Sequence, residues 1–299
     1  MIPVAWGFGT PLEESVMSLN PSLRPVLSPV DPERFPVAEN ICSVVSNEAV
    51  NDRYCHMVMA APELALTARA GQFFHLLCPR TERDQPFLRR PMSVYRVDPA
   101  RERIEFLYKP VGAGTSAMAT LRTGDGFNVL GPLGKGFNLD PSWRHIVVLG
   151  RGVGLATLAP LAELAASMNV SVTAILSVER TEYLMSVSLF EAAGAEIIAV
   201  TDEDGSSAVE NVEKILERLV ETGKADAFFT CGSDRLMQLM KRVGGVHGVP
   251  GQVALEQQMA CGLGMCFCCV RSFEVGAEVI HRRVCCEGPV FDIQEALSW

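Results

Sequence analysis

Between residues 41 and 142 the chain is written in short apolar, β-branched runs about 8–15 residues apart, separated by Gly, Pro and Asp. The runs Cys42–Ser46, Cys55–Ala60, Gln72–Cys78, Met92–Val97, Ile104–Tyr108 and Phe127–Leu130 read as strands. Many short strands with turn residues between them predict an antiparallel barrel or sandwich. One short helix is expected near Thr115, ahead of the turn Thr123-Gly124-Asp125-Gly126. Past residue 143 the texture changes. The apolar runs His145–Gly150, Ser171–Ser177, Glu196–Val200 and Ala225–Cys231 alternate with helical segments at Gly152–Met168, Glu182–Ala193, Ala208–Thr222 and Asp234–Val243. That alternation predicts right-handed βαβ units and a parallel sheet.

Two stretches fall outside these patterns. Residues 1–40 hold seven of the eighteen prolines and no hydrophobic period, and read as an irregular arm. Residues 250–299 are dense in Cys and Gly, and about fifty residues seldom bury enough apolar surface to stand alone. The expected organisation is therefore an arm (1–40), an antiparallel β domain (41–142), an α/β domain (143–249) and a small C-terminal domain (250–299).

Composition narrows the function. The 299 residues are 48% hydrophobic and 20% charged, the profile of a folded protein, with a net charge of −9. An acidic chain without a basic stripe has no electrostatic footprint for nucleic acid. No apolar run reaches the ~18 residues of a membrane span. The first residues carry no basic segment followed by an apolar run, so no signal peptide is read, and a cytoplasmic location is expected. In that reducing setting ten cysteines are not a disulfide framework, and six of them crowd between Cys261 and Cys286.

Their spacing is Cys261-x4-Cys266-x2-Cys269, followed after fifteen residues by Cys285 and Cys286. This is the plant-type pattern for a 2Fe–2S cluster, in which four thiolates hold two irons. Glycines in CGLGMC let the backbone curl around such a cluster. A zinc site and free thiols are the alternatives, but only one C-x2-C knuckle has the spacing usual for zinc. By spacing alone either Cys285 or Cys286 serves as the fourth ligand, and Cys268 is surplus.

A second signal is VVLGRGVGLATL, where Gly150, Gly152 and Gly154 lie between a strand and a helix. Glycines there let a dinucleotide pyrophosphate approach the backbone, although many such turns hold glycines for packing. Cys231 lies at another strand end, in Thr230-Cys231-Gly232-Ser233, and either faces a ligand or fills the core. Arg90 and Ser93, three residues apart at a candidate strand, suit a phosphate or a polar ring edge. The five histidines (56, 75, 145, 247 and 281) are scattered and read as structural. No Ser/His/Asp or paired-carboxylate constellation is visible.

Taken in order, the β domain with R-P-x-S, the strand–Gly–helix turn and the cysteine loop resemble one family. It is the electron-transfer subunit of the two-subunit, NAD-linked dihydroorotate dehydrogenases, a ferredoxin–NADP reductase-like flavoprotein. Matching segments include Gly71-Gln72-Phe73, GPLGKGF (131–137), Thr201-Asp202, LEQQMACGLGMCFCC (255–269) and VCCEGPVF (284–291). The resemblance implies an FAD-binding barrel, an NAD-binding α/β domain and a 2Fe–2S domain. Arg90, Pro91, Met92 and Ser93 would hold the FAD ribityl-phosphate and ring. Leu107, Tyr108 and Lys109 would line the flavin, and Gly114 and Thr115 would bind its pyrophosphate. Gly150, Gly152 and Gly154 would carry NAD(H), with Cys231, the one candidate catalytic residue, near the nicotinamide–flavin contact. The ending register selects Cys285 over Cys286, giving Cys261, Cys266, Cys269 and Cys285 as metal ligands.

The implied role is an oxidoreductase subunit linking NAD(H), FAD and the cluster to a flavin-containing catalytic partner in a hetero-oligomer. Three features depart from the family: Arg151 in place of a glycine, Ser233 in place of a proline, and the long arm. The alternatives are a reductase component of another multicomponent system, or a non-catalytic redox sensor. NAD is favoured over NADP, with Arg180 placed where it could meet a 2′-phosphate.

Overall fold

A computed structural model describes residues 37–298, so most of the expected arm, residues 1–36, lies outside the described residues. The first sheet contains β1 (Ala38–Ala49), β2 (Cys55–Ala60), β3 (Phe73–Leu76), β4 (Arg90–Ser93), β5 (Arg96–Asp98), β6 (Arg103–Tyr108) and, after helix α1 (Ala113–Met118), β7 (Gly126–Leu133). Its order is β4-β3-β7-β1-β2-β6-β5, with every pairing antiparallel. It curls around an apolar interior that includes Val44, Met57, Met59, Phe74, Ile104, Phe106 and Tyr108. Alternation does the sorting: Ile104, Phe106 and Tyr108 point inward while Leu107 faces the neighbouring layer.

The strand expected over Met92–Val97 is two strands. β4 pairs with β3 at one edge and β5 with β6 at the other. Val94 and Tyr95, both buried, carry the chain across the mouth of the curl. Alternation alone could not show this, because the apolar run is continuous through the break.

The second layer is built from β8 (His145–Arg151), α2 (Gly154–Ser167), β9 (Ser171–Val178), α3 (Val187–Ala192), β10 (Glu196–Thr201), α4 (Val209–Glu221), β11 (Ala227–Cys231), α5 (Asp234–His247) and β12 (Gly251–Ala254). The sheet order is β10-β9-β8-β11-β12, all parallel. α4 shows why the segment is helical: Val212, Leu216 and Leu219 bury one stripe while its charged residues face water. The helix expected over Glu182–Ala193 is shorter, because Ser186 adopts a positive φ of 64° and α3 begins only after it.

The C-terminal segment forms the hairpin β13 (Val270–Val275) and β14 (Glu278–Arg283), then the short helix α6 (Val284–Glu287) and β15 (Val290–Asp292). β15 pairs antiparallel with β12 and so extends the second sheet. Two strands of the cysteine-rich block thus belong to the parallel-sheet layer. The rest is seated on that layer's core, where Cys269, Phe273, Val284 and Cys285 pack with residues of α4 and α5. No helix among the described residues is long and apolar enough to cross a membrane.

The turn after β10 is held by one carboxylate. Asp204 accepts from the Thr201 hydroxyl (2.7 Å), the Ser206 amide (2.9 Å) and the Ser206 hydroxyl (2.5 Å). Those donors, the Ser206 side chain first, pull its pKa down to about 2. Because the folded value is depressed, the contribution is complete above the unfolded value of about 4 and fades as pH falls toward 2. A carbon-detected NMR titration should show the Asp204 carboxyl inflecting near the lower value. An inflection at an ordinary aspartate value would contradict the turn geometry.

Candidate functional site

Segments far apart in sequence meet where the barrel, the parallel sheet and the C-terminal segment join. A methyl group built on Gly71 would lie 2.8 Å from both Phe137 Cδ2 and Val290 Cγ2. Gln72 Nε2 donates to the Gly134 carbonyl (2.8 Å), and the Lys135 amide donates to the Gly288 carbonyl (2.5 Å). The motifs GQF, GPLGKGF and GPVF are therefore one junction, and only glycine permits the approach at Gly71, whose φ is +86°.

On the barrel, β4 presents Arg90, Pro91, Met92 and Ser93, all half-buried. The Arg90 guanidinium donates to the Leu88 carbonyl (2.6 Å), and its stem lies on Gly114, where a methyl would come 2.8 Å from Nε. Thr115 is buried and its hydroxyl is committed to its own turn. It accepts from the Val111 amide (2.9 Å) and the Gly112 amide (3.3 Å). Thr115 thus shapes the loop beside Arg90. Tyr108 points into the barrel, its hydroxyl donating to Asn47 Oδ1 (2.9 Å), and burial pushes its pKa up. Its ring does not line the outer face, whereas Leu107 lies on the side turned toward the second sheet.

Between that side of β6 and the carboxyl ends of β8 and β9 is a cleft of about 170 Å³. Arg53, Tyr54, Lys109, Arg151, Gly152 and Glu179 line it. Arg53 pairs with Glu179 (2.6 Å) and stacks over Tyr183 at 3.9 Å. Arg151, the residue that departs from the family's glycine, is turned back. Its guanidinium holds Asp202 (3.2 and 2.5 Å) and Ser177 Oγ (3.0 Å). That bidentate hold, with Ser207, lowers the Asp202 pKa. Among the described residues Lys109 has no carboxylate partner, and its ammonium lies 5.9 Å from the Tyr54 ring.

The three glycines of the turn divide by role. Gly152, with φ +54°, faces the cleft, where a methyl would lie 3.4 Å from the Tyr54 hydroxyl. Gly150 and Gly154 are packing glycines. A methyl on Gly150 would strike Leu155, and one on Gly154 would lie 2.6 Å from the Cys231 carbonyl carbon and 2.8 Å from Gly232 Cα. Cys231 itself is buried against α2, in hydrogen-bonding reach of Thr157, and burial pushes its thiol up. The thiol expected near the nicotinamide–flavin contact is a buried side chain in this structure.

The cysteine loop carries its thiols in pairs. Cys261 lies in hydrogen-bonding reach of Cys266, and Cys269 of Cys285, whose amide donates to Cys269 Sγ at 3.4 Å. Among the described residues no three ligand-type side chains converge as a mononuclear ion requires. Cys286 in turn lies in hydrogen-bonding reach of Cys285, and this close grouping of thiols suits a two-iron centre. Burial raises the Cys261 thiol, but amides of Leu263 and Cys266, the Cys266 side chain and the Met265 amide outweigh it and bring it down to about 7. Donors that favour thiolate are what a sulfur ligand needs. Gly262 and Gly264 have φ of +70° and +81°, and a methyl on Gly264 would strike Cys286 Sγ at 2.7 Å. Cys286 therefore lies against the loop too, whereas Cys268 is exposed.

Sequence reading missed Arg53, Tyr54, Glu179 and Tyr183. They sit on a hairpin and after a strand end, carry no motif, and become neighbours only when the two layers pack.

An antiparallel curled sheet joined to a parallel sheet, with a cysteine loop on its C-terminal extension, defines a ferredoxin-reductase-like redox protein. A structure described as an NADH-dependent reduced ferredoxin–NADP oxidoreductase of flavin-based electron bifurcation aligns with a TM-score of 0.72 at 25% identity, covering 85% of this chain and 89% of that one. The ferredoxin reductase of carbazole 1,9a-dioxygenase shares the fold, with a TM-score of 0.59 at 18% identity over 72% of this chain and 67% of that one. Residues 256–297 match the iron–sulfur cluster binding domain of dihydroorotate dehydrogenase B. The Desulforamulus reducens electron-transfer subunit of dihydroorotate dehydrogenase B (NAD(+)) is 31% identical, covering 79% of this chain and 89% of the relative. That of Streptococcus pneumoniae R6 is 32% identical, covering 83% and 94%. The chain belongs to this family of electron-transfer subunits.

Proposed function

We propose that this chain passes electrons between NAD(H), FAD, a 2Fe–2S cluster and a flavin-containing dihydroorotate dehydrogenase subunit, with which it forms a hetero-oligomer. The observation that carries the reading is the pair of thiol pairs, Cys261 with Cys266 and Cys269 with Cys285, on a segment joined to both sheets. The register of the family's ending favours Cys285 over its neighbour Cys286 as the fourth ligand.

We assign FAD to the barrel face formed by Arg90–Ser93, Leu107, Lys109 and the Gly114–Thr115 turn, and NAD(H) to the cleft beside Gly152. Flavin is the group that converts two-electron hydride exchange with nicotinamide into one-electron exchange with iron. The chain's own residues bind and orient. Arg90 presents a guanidinium to phosphate, and Gly114 leaves room for its stem. Lys109 offers its ammonium to the dinucleotide. Arg151, held by Asp202, lines the cleft beside Gly152. Cys231 and Gly232 form the packed wall behind it.

The five histidines and the cleft supply no site for oxidising dihydroorotate, so that chemistry is assigned to the partner. A reducing cytoplasmic setting suits a chain whose clustered cysteines serve as thiolate ligands rather than as disulfides.

Removing the Arg90 guanidinium should cost FAD before it costs the fold, since the side chain is half-buried on an edge strand. Arg90→Ala should lower FAD affinity by about tenfold or more, the scale of one charge-assisted phosphate contact. Flavin-to-protein ratio after gel filtration measures it. Full flavin retention would displace the FAD assignment. The overall reading is tested by co-purification followed by substrate assays. The complex should oxidise dihydroorotate with NAD, and this chain alone should not. Oxidation by the isolated chain would overturn it.

A further inference from the structure

We propose that His75 is a positioning residue for the iron–sulfur centre, donating an imidazole N–H to a sulfur of the cluster or of the Cys261 thiolate and raising the cluster's reduction potential. This rests on the two-iron reading above.

The inference begins with strand geometry. β3 runs Phe73-Phe74-His75-Leu76 between β4 and β7. Phe74 and Leu76 fill the barrel interior, while Phe73 packs in the core that holds Cys269 and Cys285. Alternation puts His75 on the same side as Phe73. There it is fully buried, and among the described residues neither ring nitrogen has a hydrogen-bond partner. A methyl on Gly262 would lie 2.8 Å from Nδ1, so the ring sits directly against the first turn of the cysteine loop. The Cys261 peptide lies within marginal hydrogen-bonding reach of the ring, at a geometry short of a formed bond.

A buried polar ring without a well-formed hydrogen bond is costly, and the other three residues of the strand are apolar. An apolar side chain would fill this space without that cost. A sulfur acceptor beneath Gly262 removes it, because thiolate and sulfide take hydrogen bonds from buried donors. Such bonds offset the negative charge gained on reduction and raise the potential. His75 is also paired in register with Pro91 of β4. The ring therefore stands between the strand assigned to FAD and the loop assigned to the irons, where a shift in potential changes how far electrons run toward the cluster.

The test compares His75→Leu, which removes the donor, with His75→Asn, whose amide N–H can reach where Nδ1 lies. Iron and flavin content are measured first, then the cluster potential by a redox titration followed by EPR. His75→Leu should keep both cofactors, while the equilibrium constant for placing an electron on the cluster falls about tenfold, ~59 mV for a one-electron couple. The EPR line shape should change with it, and His75→Asn should recover most of the loss. In unmodified protein labelled with ¹⁵N-histidine, pulsed EPR of the reduced cluster should show a weak histidine nitrogen coupling that His75→Asn lacks. The proposal is overturned if His75→Leu keeps the parent potential, if both variants shift equally, or if the parent shows no histidine coupling. Should His75→Leu fail to assemble, the labelled parent and His75→Asn decide. Failure of the two-iron reading looks different: the parent itself would then lack two irons and a reduced-state EPR signal.

Discussion

Cys269→Ser should empty the iron site. Cys269 is buried, accepts the Cys285 amide at its sulfur, and sits in the core beneath the loop. A serine oxygen there is a hard, mostly protonated ligand where the centre needs a soft thiolate. Iron should fall from about two per chain to near zero, and the visible absorbance of the cluster should go with it. Cys268→Ser is the control. That residue is adjacent in sequence but exposed, and its replacement should leave the iron in place. The same assay separates Cys285 from Cys286. Loss with Cys285→Ser and retention with Cys286→Ser is expected, and the reverse would move the fourth ligand by one residue. Retention of full iron by Cys269→Ser would remove the basis for pairing the thiols as described.

Gly154→Ala should be the most damaging small substitution in the parallel-sheet layer. The new methyl would lie 2.6 Å from the Cys231 carbonyl carbon and 2.8 Å from Gly232 Cα. Both are backbone atoms, which cannot rotate away as a side chain can. Overpacking of a tight core costs about 1–3 kcal/mol, and a clash with backbone belongs at the top of that range. For a domain this size that is a fall in Tm of about 6–12 °C. Prising the two turns apart should also weaken NADH binding. Gly152→Ala makes a useful contrast, since a methyl there meets only the Tyr54 hydroxyl at 3.4 Å. Its backbone strain should cost less, while its effect falls on the cleft. Thermal melts with NADH binding measured on both variants check the distinction, and equal melts would contradict it.

What could be read in advance was whatever one short stretch of chain must carry by itself. A two-iron centre needs thiolates at close intervals on a loop that can curl, so Cys261, Cys266 and Cys269 announce themselves by spacing. Parallel strands buried on both faces are continuous apolar runs, as in Val147–Leu149 and Ala227–Thr230, and these are plain in the sequence. Properties shared between distant segments were less legible. Arg53 and Glu179 are 126 positions apart and define one wall of the cleft together. Gly150 and Gly154 carried the look of a cofactor turn, and the atoms packed against each, which also require glycine, were not legible. The apolar run over Met92–Val97 hid a crossing from one sheet edge to the other. The strand Gly251–Ala254 gave no sign that it would join β11 rather than the cysteine-rich block that follows it. His75 read as structural because nothing in Phe73–Leu76 reveals which loop will cover it.

Reducing equivalents from nicotinamide should reach iron through this one chain. An anaerobic titration of the purified holoprotein with NADH, followed by EPR and visible absorbance together, addresses it most directly. The flavin band should bleach, and a low-temperature signal from a reduced two-iron centre should grow toward about one spin per chain. Flavin bleaching with no such signal, in protein that contains its full iron, would contradict the account.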